Sequence, residues 1–185
     1  MSGSVSHVLY EHECRMILIV DDEPMEASLM CTMLEQQKML PDRTPVACRS
    51  VSSGQAAITW LAQAPPGSVS VVLVDRTLAD GENGLALIPH LRQSPALRRD
   101  ASVLIWSGHD EPEMIDRARL AGAHAFVSKQ RVSKTLGQDI IQIVADLWNA
   151  DAHKRPRPWI VLSRSSRSVR PSEHKIQTNK VETSQ

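Results

Sequence analysis

The sequence predicts an α/β fold in which helices cover both faces of a five-stranded parallel β-sheet, a doubly wound arrangement. Short unbroken apolar runs recur at 16–20, 46–48, 69–74, 103–106 and 125–127. Such runs are typical of strands that are buried on both faces, because a strand with one wet face alternates apolar and polar residues. Segments with helical spacing separate the runs. Because helices that join parallel strands make right-handed crossovers, few topologies other than the doubly wound sheet are left.

The first three helices are predicted from their start signals and apolar spacing. The first begins near Pro24, because proline is favoured in the first turn of a helix. The second follows Ser52, whose spacing to Gln55 is that of a capping box. The third runs from about Gly84 to Arg92. We expect the methionines of this half of the chain to fill an aliphatic core. They are Met25, Met30, Met33 and Met39.

Two further helices complete the predicted domain. The fourth starts at Asp110, where an acidic segment is typical of a helix N-terminus, and ends before Gly122. The fifth has the clearest pattern, because Leu136, Ile140 and Leu147 belong to one apolar stripe at 3.6-residue spacing. Five strands and five helices therefore fit into residues 15–150.

Charge and composition divide the 185 residues into three parts. Residues 1–150 carry 13 Lys and Arg against 18 Asp and Glu, whereas residues 151–185 carry 8 against 3. We predict a flexible N-terminal segment at 1–14, one domain at 15–150, and a basic, Ser/Arg/Pro-rich, mostly disordered tail at 151–185. A short apolar island at 159–162 either adds a strand to a partner's sheet or folds back onto the domain.

The sequence has no pattern of a secreted or membrane-spanning protein. Its three cysteines, Cys14, Cys31 and Cys48, have no metal or redox spacing and are expected to be free thiols in a reducing cytosol. The first residues do not have the pattern of a signal peptide. No apolar stretch approaches the ~20 residues that span a bilayer. We therefore expect a soluble, cytoplasmic protein without a membrane span.

Three acids stand at the ends of two predicted strands. Asp21 and Asp22 follow the first apolar run directly, and Asp75 follows the third. Two carboxylates about 4 Å apart repel by roughly 4 kcal/mol at an effective dielectric constant of about 20. Because the carboxyl ends of parallel strands meet at one edge of the sheet, these acids predict a divalent-cation site.

Two more polar residues follow the remaining central strands. Ser107 ends the fourth strand and Lys129 follows the fifth. Together with the acids they provide the groups that phosphoryl transfer needs. Oxygen ligands suit Mg²⁺, Asp75 can act as the nucleophile, Lys129 can neutralise an oxygen of the transferred group, and Ser107 can hydrogen-bond another.

These segments resemble the receiver domain of two-component response regulators. The resemblance is carried by residues 17–24, 71–75, 107–108 and 122–129. It implies a flavodoxin-like (βα)5 fold with strand order 2-1-3-4-5. It also implies that Asp75 accepts a phosphoryl group from a histidine kinase or a histidine phosphotransfer protein.

The same resemblance implies roles for individual residues. Asp22 and Asp75 are expected to bind Mg²⁺ directly, Asp21 through water, and the backbone carbonyl of Thr77 to complete the protein ligands. Lys129 is expected to pair with the phosphate. The remaining implied roles are a switch formed by Ser107 and Phe126 and control of phosphate lifetime by Thr77 and His109.

The output is expected to be protein contact or phosphorelay. The implied contact surface for a downstream protein is formed by the fourth helix, the fifth strand and the fifth helix. A homodimer is left open. No DNA-binding domain is visible, and we expect a stand-alone receiver. Apart from Mg²⁺-dependent self-phosphorylation and autodephosphorylation, no enzymatic activity is expected.

Two departures from the family pattern bear on function. The family usually has proline after the lysine, where this chain has Gln130. The loop between Asp75 and Gly84 also looks one residue longer than usual. These departures motivate an alternative, a phosphorylation-independent interaction module with the receiver fold.

Particular residues disfavour two further functions. A dehalogenase-like phosphatase would need a second aspartate two residues after Asp75, where Thr77 stands. A flavodoxin would need a phosphate-binding loop where Asp21 and Asp22 stand. The basic tail, which could also contact nucleic acid or acidic lipid, is read as solvated chain.

Overall fold

The computed structural model describes residues 15–40, 43–131 and 135–163. Its centre is one sheet of six parallel strands. In chain order the strands are β1 (Arg15–Val20), β2 (Val46–Val51), β3 (Val69–Asp75), β4 (Leu97–Ser107), β5 (Ala125–Ser128) and β6 (Ile160–Leu162). Their order across the sheet is β2-β1-β3-β4-β5-β6, so the predicted order 2-1-3-4-5 is confirmed and extended by one strand.

Five α-helices connect the strands, as the sequence predicts. They are α1 (Pro24–Glu35), α2 (Gly54–Gln63), α3 (Gly84–Arg92), α4 (Pro112–Leu120) and α5 (Leu136–Ala152). A single 3₁₀ turn at Ala79–Gly81 lies between β3 and α3. None of the described helices is long and apolar enough to cross a bilayer.

The sheet separates two apolar cores. Successive residues of a strand point to opposite faces, so Ile17 and Ile19 of β1 pack with α1 and α5, whereas Leu18 and Val20 pack with α2, α3 and α4. All seven residues of β3 are buried. This two-sided burial is the reason why the central strands have continuous apolar runs.

The sixth strand corrects the prediction of five. Ile160–Leu162 pairs in parallel with β5, and Val127 lies opposite Leu162. The Leu162 side chain is 0% exposed and belongs to the core on the α1 and α5 face. The predicted domain boundary at residue 150 is therefore too early, and the apolar island folds back onto the domain. The predicted segment 1–14 and the tail from 164 onward lie outside the described residues.

The chain reaches β6 through an extended segment that one arginine fixes to the domain. We call residues 153–163 the strap. The Arg157 guanidinium donates to the Asp151 carboxylate (Nε–Oδ1 2.9 Å) and to the backbone carbonyls of Ala101 (3.1 Å) and Asp100 (2.9 Å). A proline-rich segment that cannot form a helix is thereby held against the first residues of β4.

Two local predictions are wrong in detail. Ser53, not Ser52, caps α2, because its Oγ accepts a hydrogen bond from the Ala56 N–H at 3.1 Å. The methionines are not all in the core either. Met25 is 85% exposed, because α1 buries the stripe of Ala27, Met30 and Leu34 instead. Met39, which follows α1, is 54% exposed.

Candidate functional site

Three acids meet at the carboxyl edge of the sheet, as the strand ends predict. Asp21 follows β1, Asp22 is next to it, and Asp75 is the last residue of β3. Each offers a carboxylate oxygen, and these oxygens lie within 4.8 Å of one another. Asp21 is 2% exposed and Asp75 is 8% exposed. We call these three residues the acid cluster.

Local backbone groups orient two of the carboxylates. Oδ1 of Asp21 accepts from the Glu23 N–H at 2.9 Å, and Oδ1 of Asp75 accepts from the Thr77 N–H at 3.1 Å. The second oxygen of each is thereby left to face the cleft. Burial raises the pKa of Asp21, and the hydrogen bonds from Lys129 and Glu23 offset part of that shift.

Lys129, which directly follows β5, contacts three carboxylates of the site. Its Nζ lies 2.9 Å from Oδ2 of Asp21, 2.7 Å from Oδ2 of Asp75 and 2.6 Å from Oε2 of Glu26. It also lies 4.6 Å from the centre of the Trp106 ring. Burial favours the neutral amine, but hydrogen bonds to Asp75, Glu26 and Asp21 outweigh it and raise the pKa of Lys129.

The charges fit a divalent cation. The acid cluster and Glu26 supply four carboxylates around a single lysine ammonium, so the cleft is strongly negative when all are ionised. Hard carboxylate oxygens are the ligands that Mg²⁺ prefers, and Mg²⁺ keeps several waters of its own. Asp21, Asp22 and Asp75 are the described residues that could hold the ion. The role of the Thr77 carbonyl stays a prediction.

Ser107 lies at the end of β4, where the sequence predicts it. Its side chain is buried, and its Oγ accepts from Arg76 Nε at 3.3 Å and from the His109 N–H at 3.1 Å. These bonds hold the hydroxyl in the loop between β4 and α4. Thr77 and His109 are exposed at the mouth of the site, where solvent reaches them.

Phe126, the predicted partner of Ser107 in the switch, is already enclosed. It is 0% exposed and belongs to the core on the α2, α3 and α4 face. On the neighbouring strand Val161 lies opposite Phe126, and both Trp159 and Val161 pack against that core. The strap therefore helps to bury the aromatic ring, and it gives β5 a neighbour on its outer side.

Gln130 joins two loops that border the site. Its side-chain amide donates to the carbonyl of Gly108 at 2.6 Å, and its backbone N–H donates to Ser128 Oγ at 3.3 Å. A proline at this position has neither donor. The departure from the family pattern thus links the loop after β4 to the loop after β5.

The loop after Asp75 closes on itself before it reaches α3. It closes through the Leu78 N–H, which donates to the Glu82 carbonyl at 2.9 Å, and Gly81 has a φ of 75°. Gly84 then lies against the site, because a Cβ on it would stand 1.8 Å from the Asp75 carbonyl oxygen. The first residue of α3 therefore packs directly against the backbone of Asp75.

Two residues of the site were not predicted. Glu26 lies in the first turn of α1, one helical turn after Asp22, and contacts Lys129. Arg76 follows the phosphoacceptor candidate and binds Ser107. An acid in the first turn of the helix after Asp22 is a readable signal for Glu26, whereas nothing in the sequence indicates the partner of Arg76.

Comparisons with known proteins agree with this geometry. The chain is similar to the Francisella response regulator 1452 receiver domain (18% identity, 74% of this chain and 98% of that chain, TM-score 0.56). It is also similar to the Vibrio cholerae chemotaxis protein CheY4 (17% identity, 71% and 98%, TM-score 0.58). A third similar structure is a Burkholderia pseudomallei response regulator protein with a phosphorylated aspartic acid, a calcium ion and citrate (20% identity, 77% and 75%, TM-score 0.56).

At these identities the solved structures establish the fold alone. The search of curated proteins finds no match. The family model described as response regulator receiver domain matches residues 17–141, which is more than half of the chain and includes the acid cluster, Ser107 and Lys129. The chain therefore belongs to the response regulator receiver family of two-component signalling.

Proposed function

We propose that this receiver accepts a phosphoryl group on Asp75 and signals through protein contact or phosphorelay. The observation that supports this most strongly is the position of Asp75. Its carboxylate lies within 4.8 Å of the two other acids and 2.7 Å from Lys129 Nζ. A cation site and a fixed ammonium beside one oriented carboxylate are the groups that phosphoryl transfer uses.

In the proposed step Oδ2 of Asp75 attacks the phosphorus of a phosphohistidine donor. The new P–O bond forms as the P–N bond breaks, and the bonding electrons and a proton go to the departing imidazole nitrogen. The Thr77 N–H donates to Oδ1 of Asp75 and keeps this oxygen in place. Lys129 is close enough to transfer its hydrogen bond from the carboxylate to a phosphoryl oxygen. A Mg²⁺ ion held by the acid cluster would supply charge neutralisation.

The phosphodonor is proposed to dock over α1. Met25 and Leu29 are 85% and 61% exposed on this helix, and Glu26 between them contacts Lys129. An exposed apolar pair beside a reactive carboxylate offers a contact surface for a helix of the donor. A histidine kinase or a histidine phosphotransfer protein is the partner class that fits.

We propose an output surface that includes β6 in addition to the elements expected from the sequence. Because β6 pairs with the outer side of β5, a downstream protein that docks between α4 and α5 contacts β6 instead of β5. We propose that output runs through α4, β6 and α5, and that the protein works as a stand-alone receiver. Its only chemistry in this proposal is Mg²⁺-dependent phosphorylation and autodephosphorylation at Asp75.

The test is incubation with acetyl phosphate and Mg²⁺, followed by intact mass. The parent protein should gain one phosphate, and it should gain none without metal. Asp75→Asn removes the nucleophile while retaining the side-chain shape, so this variant should gain none in either condition. Equal labelling of variant and parent would refute the proposal.

A second candidate is an interaction module that does not need phosphorylation. It is favoured by the burial of Phe126, because a ring that is 0% exposed has no further inward movement to make. This function predicts that partner binding is unchanged in Asp75→Ala. It also predicts that Mg²⁺ leaves the fluorescence of Trp106 unchanged, although this ring lies 4.6 Å from Lys129 Nζ. Quenching by Mg²⁺ would favour the first function.

A further inference from the structure

A second concave site lies at the opposite edge of the sheet from the acid cluster. It is a cavity of about 630 Å³ between the end of α3, the start of β4, the residue before β5 and the strap. This volume falls within the ~300–1,000 Å³ range of small-molecule sites. Four arginines line it: Arg92, Arg98, Arg99 and Arg157.

The lining has an excess of positive charge. Its acids are Asp100 and Asp151. Asp100 already pairs with Arg98, with 2.8 Å between the carboxylate oxygen and Nε, and Asp151 pairs with Arg157 at 2.9 Å. Four guanidinium groups against two carboxylates leave a net charge of plus two. Because arginine stays protonated at any physiological pH, this excess is permanent.

The pKa of His124 is a separate indication that the cavity lining is positively charged. Burial, followed by the charges of Arg157 and Arg92, lowers its pKa to about 4. The ring is therefore neutral near pH 7, and its Nδ1 accepts a hydrogen bond from the Val103 N–H at 2.9 Å. In that tautomer Nε2 carries the proton, so His124 adds no charge to the lining.

The strap contributes Arg157 to the lining of this cavity. Arg157 comes from the segment before β6 and is fixed to the carbonyls of Asp100 and Ala101 at the start of β4. Its side chain is 18% exposed, so its charge is held in one place instead of moving in solvent. Most of its N–H groups are used by Asp151 and these carbonyls, so Arg157 supplies fixed positive charge. The exposed Arg92 and Arg99 are the lining guanidinium groups that can pair with phosphate oxygens.

We propose that this cavity binds a small anion with two or more linked phosphate groups, of the pyrophosphate or nucleoside diphosphate class. Two excess charges suit an anion with more than one charged group. The limited volume favours a small molecule over a nucleic acid or an acidic peptide. Ser107 follows Ala101 by six positions along β4, about 20 Å at strand spacing, so the cavity is distinct from the site of Asp75.

The test is calorimetric titration of the full chain with sodium pyrophosphate in EDTA, without Mg²⁺. The parent should bind one equivalent saturably. Arg92→Gln and Arg99→Gln remove two exposed charges from the lining. The double variant should bind at least roughly tenfold more weakly, because charge-assisted hydrogen bonds to the anion are lost. Circular dichroism checks that the double variant folds.

Two controls test whether pyrophosphate binding depends on this cavity, and not on positive surface charge in general or on the site of Asp75. Arg117→Gln removes an exposed arginine of α4 that pairs with Glu113, outside the cavity, and should leave binding unchanged. Asp75→Asn should also leave it unchanged. Absence of saturable pyrophosphate binding, equal weakening by Arg117→Gln, or binding of a glutamate-rich peptide or an oligonucleotide in place of pyrophosphate would each overturn the proposal.

Discussion

Replacing Leu162 by alanine tests whether the strap is part of the folded domain. The Leu162 side chain is 0% exposed and packs in the core on the α1 and α5 face. Leucine-to-alanine changes at buried sites cost about 2–5 kcal/mol, through lost burial plus the cavity that remains. β6 has three residues and ends with Leu162, so neighbouring chain can relax into the space. We therefore expect the lower part of this range, about 2–3 kcal/mol.

The assay is urea unfolding followed by far-ultraviolet circular dichroism. Leu162→Ala should lower the midpoint with little change in slope, and it should lower the melting temperature by roughly 4–12 °C for a domain of this size. The matched control is Leu120→Ala on α4, where the same side chain is 87% exposed. That change should stay within about 0.5 kcal/mol. Equal stability of both variants and the parent would show that the strap does not pack as described.

Three further predictions concern the site and the cavity. Gly84→Ala places a methyl group 1.8 Å from the Asp75 carbonyl oxygen, so it should destabilise the fold and slow acetyl phosphate labelling. Gly108→Ala, which meets nothing within 4 Å, should do neither. Lys129→Met leaves buried carboxylates without their cation, so it should cost about 3 kcal/mol without metal. Mg²⁺ should then raise the melting temperature more than in the parent, and an equal rise would contradict this. The pKa of His124 is lowered from 6.5 to about 4, so its contribution to stability is complete above about pH 6.5. Up to about 3 kcal/mol is lost as the pH falls toward 4. Urea unfolding at pH 7 and pH 4.5 should show a smaller loss in His124→Gln than in the parent.

The elements that the sequence predicts are those with local signals. Each central strand is a continuous apolar run, and α5 has one apolar stripe, so both can be recognised without knowing what they contact. The cap of α2 was assigned one residue early because Ser52 and Ser53 are both suitable caps. Met25 and Leu29 share a spacing with buried residues but lie on the exposed side of α1.

β6 could not be predicted because its stability comes from distant residues. It is three residues long, and it follows a segment with two prolines. It is held by pairing with β5 and by Arg157, whose carbonyl partners are 56 and 57 residues away. No local pattern reports such contacts.

The residues of the site also divide into those that local sequence signals predict and those that depend on distant contacts. Asp21, Asp22 and Asp75 were predicted because strand ends of a parallel sheet meet at one edge. The contact between Glu26 and Lys129 joins residues that are 103 positions apart, and it depends on how α1 sits beside β5. The packing of Phe126 under the strap depends on β6, and it was missed for the same reason as β6 itself.

The central claim is that Asp75, and no other acid of the cluster, carries the phosphoryl group. Borohydride reduces an acyl phosphate to an alcohol, so treatment after acetyl phosphate and Mg²⁺ marks the acceptor permanently for peptide mass spectrometry. Asp75 should be converted to homoserine, and Asp21 and Asp22 should remain aspartate. Conversion at Asp21 or Asp22, or no conversion in a sample that has gained phosphate, would contradict the claim.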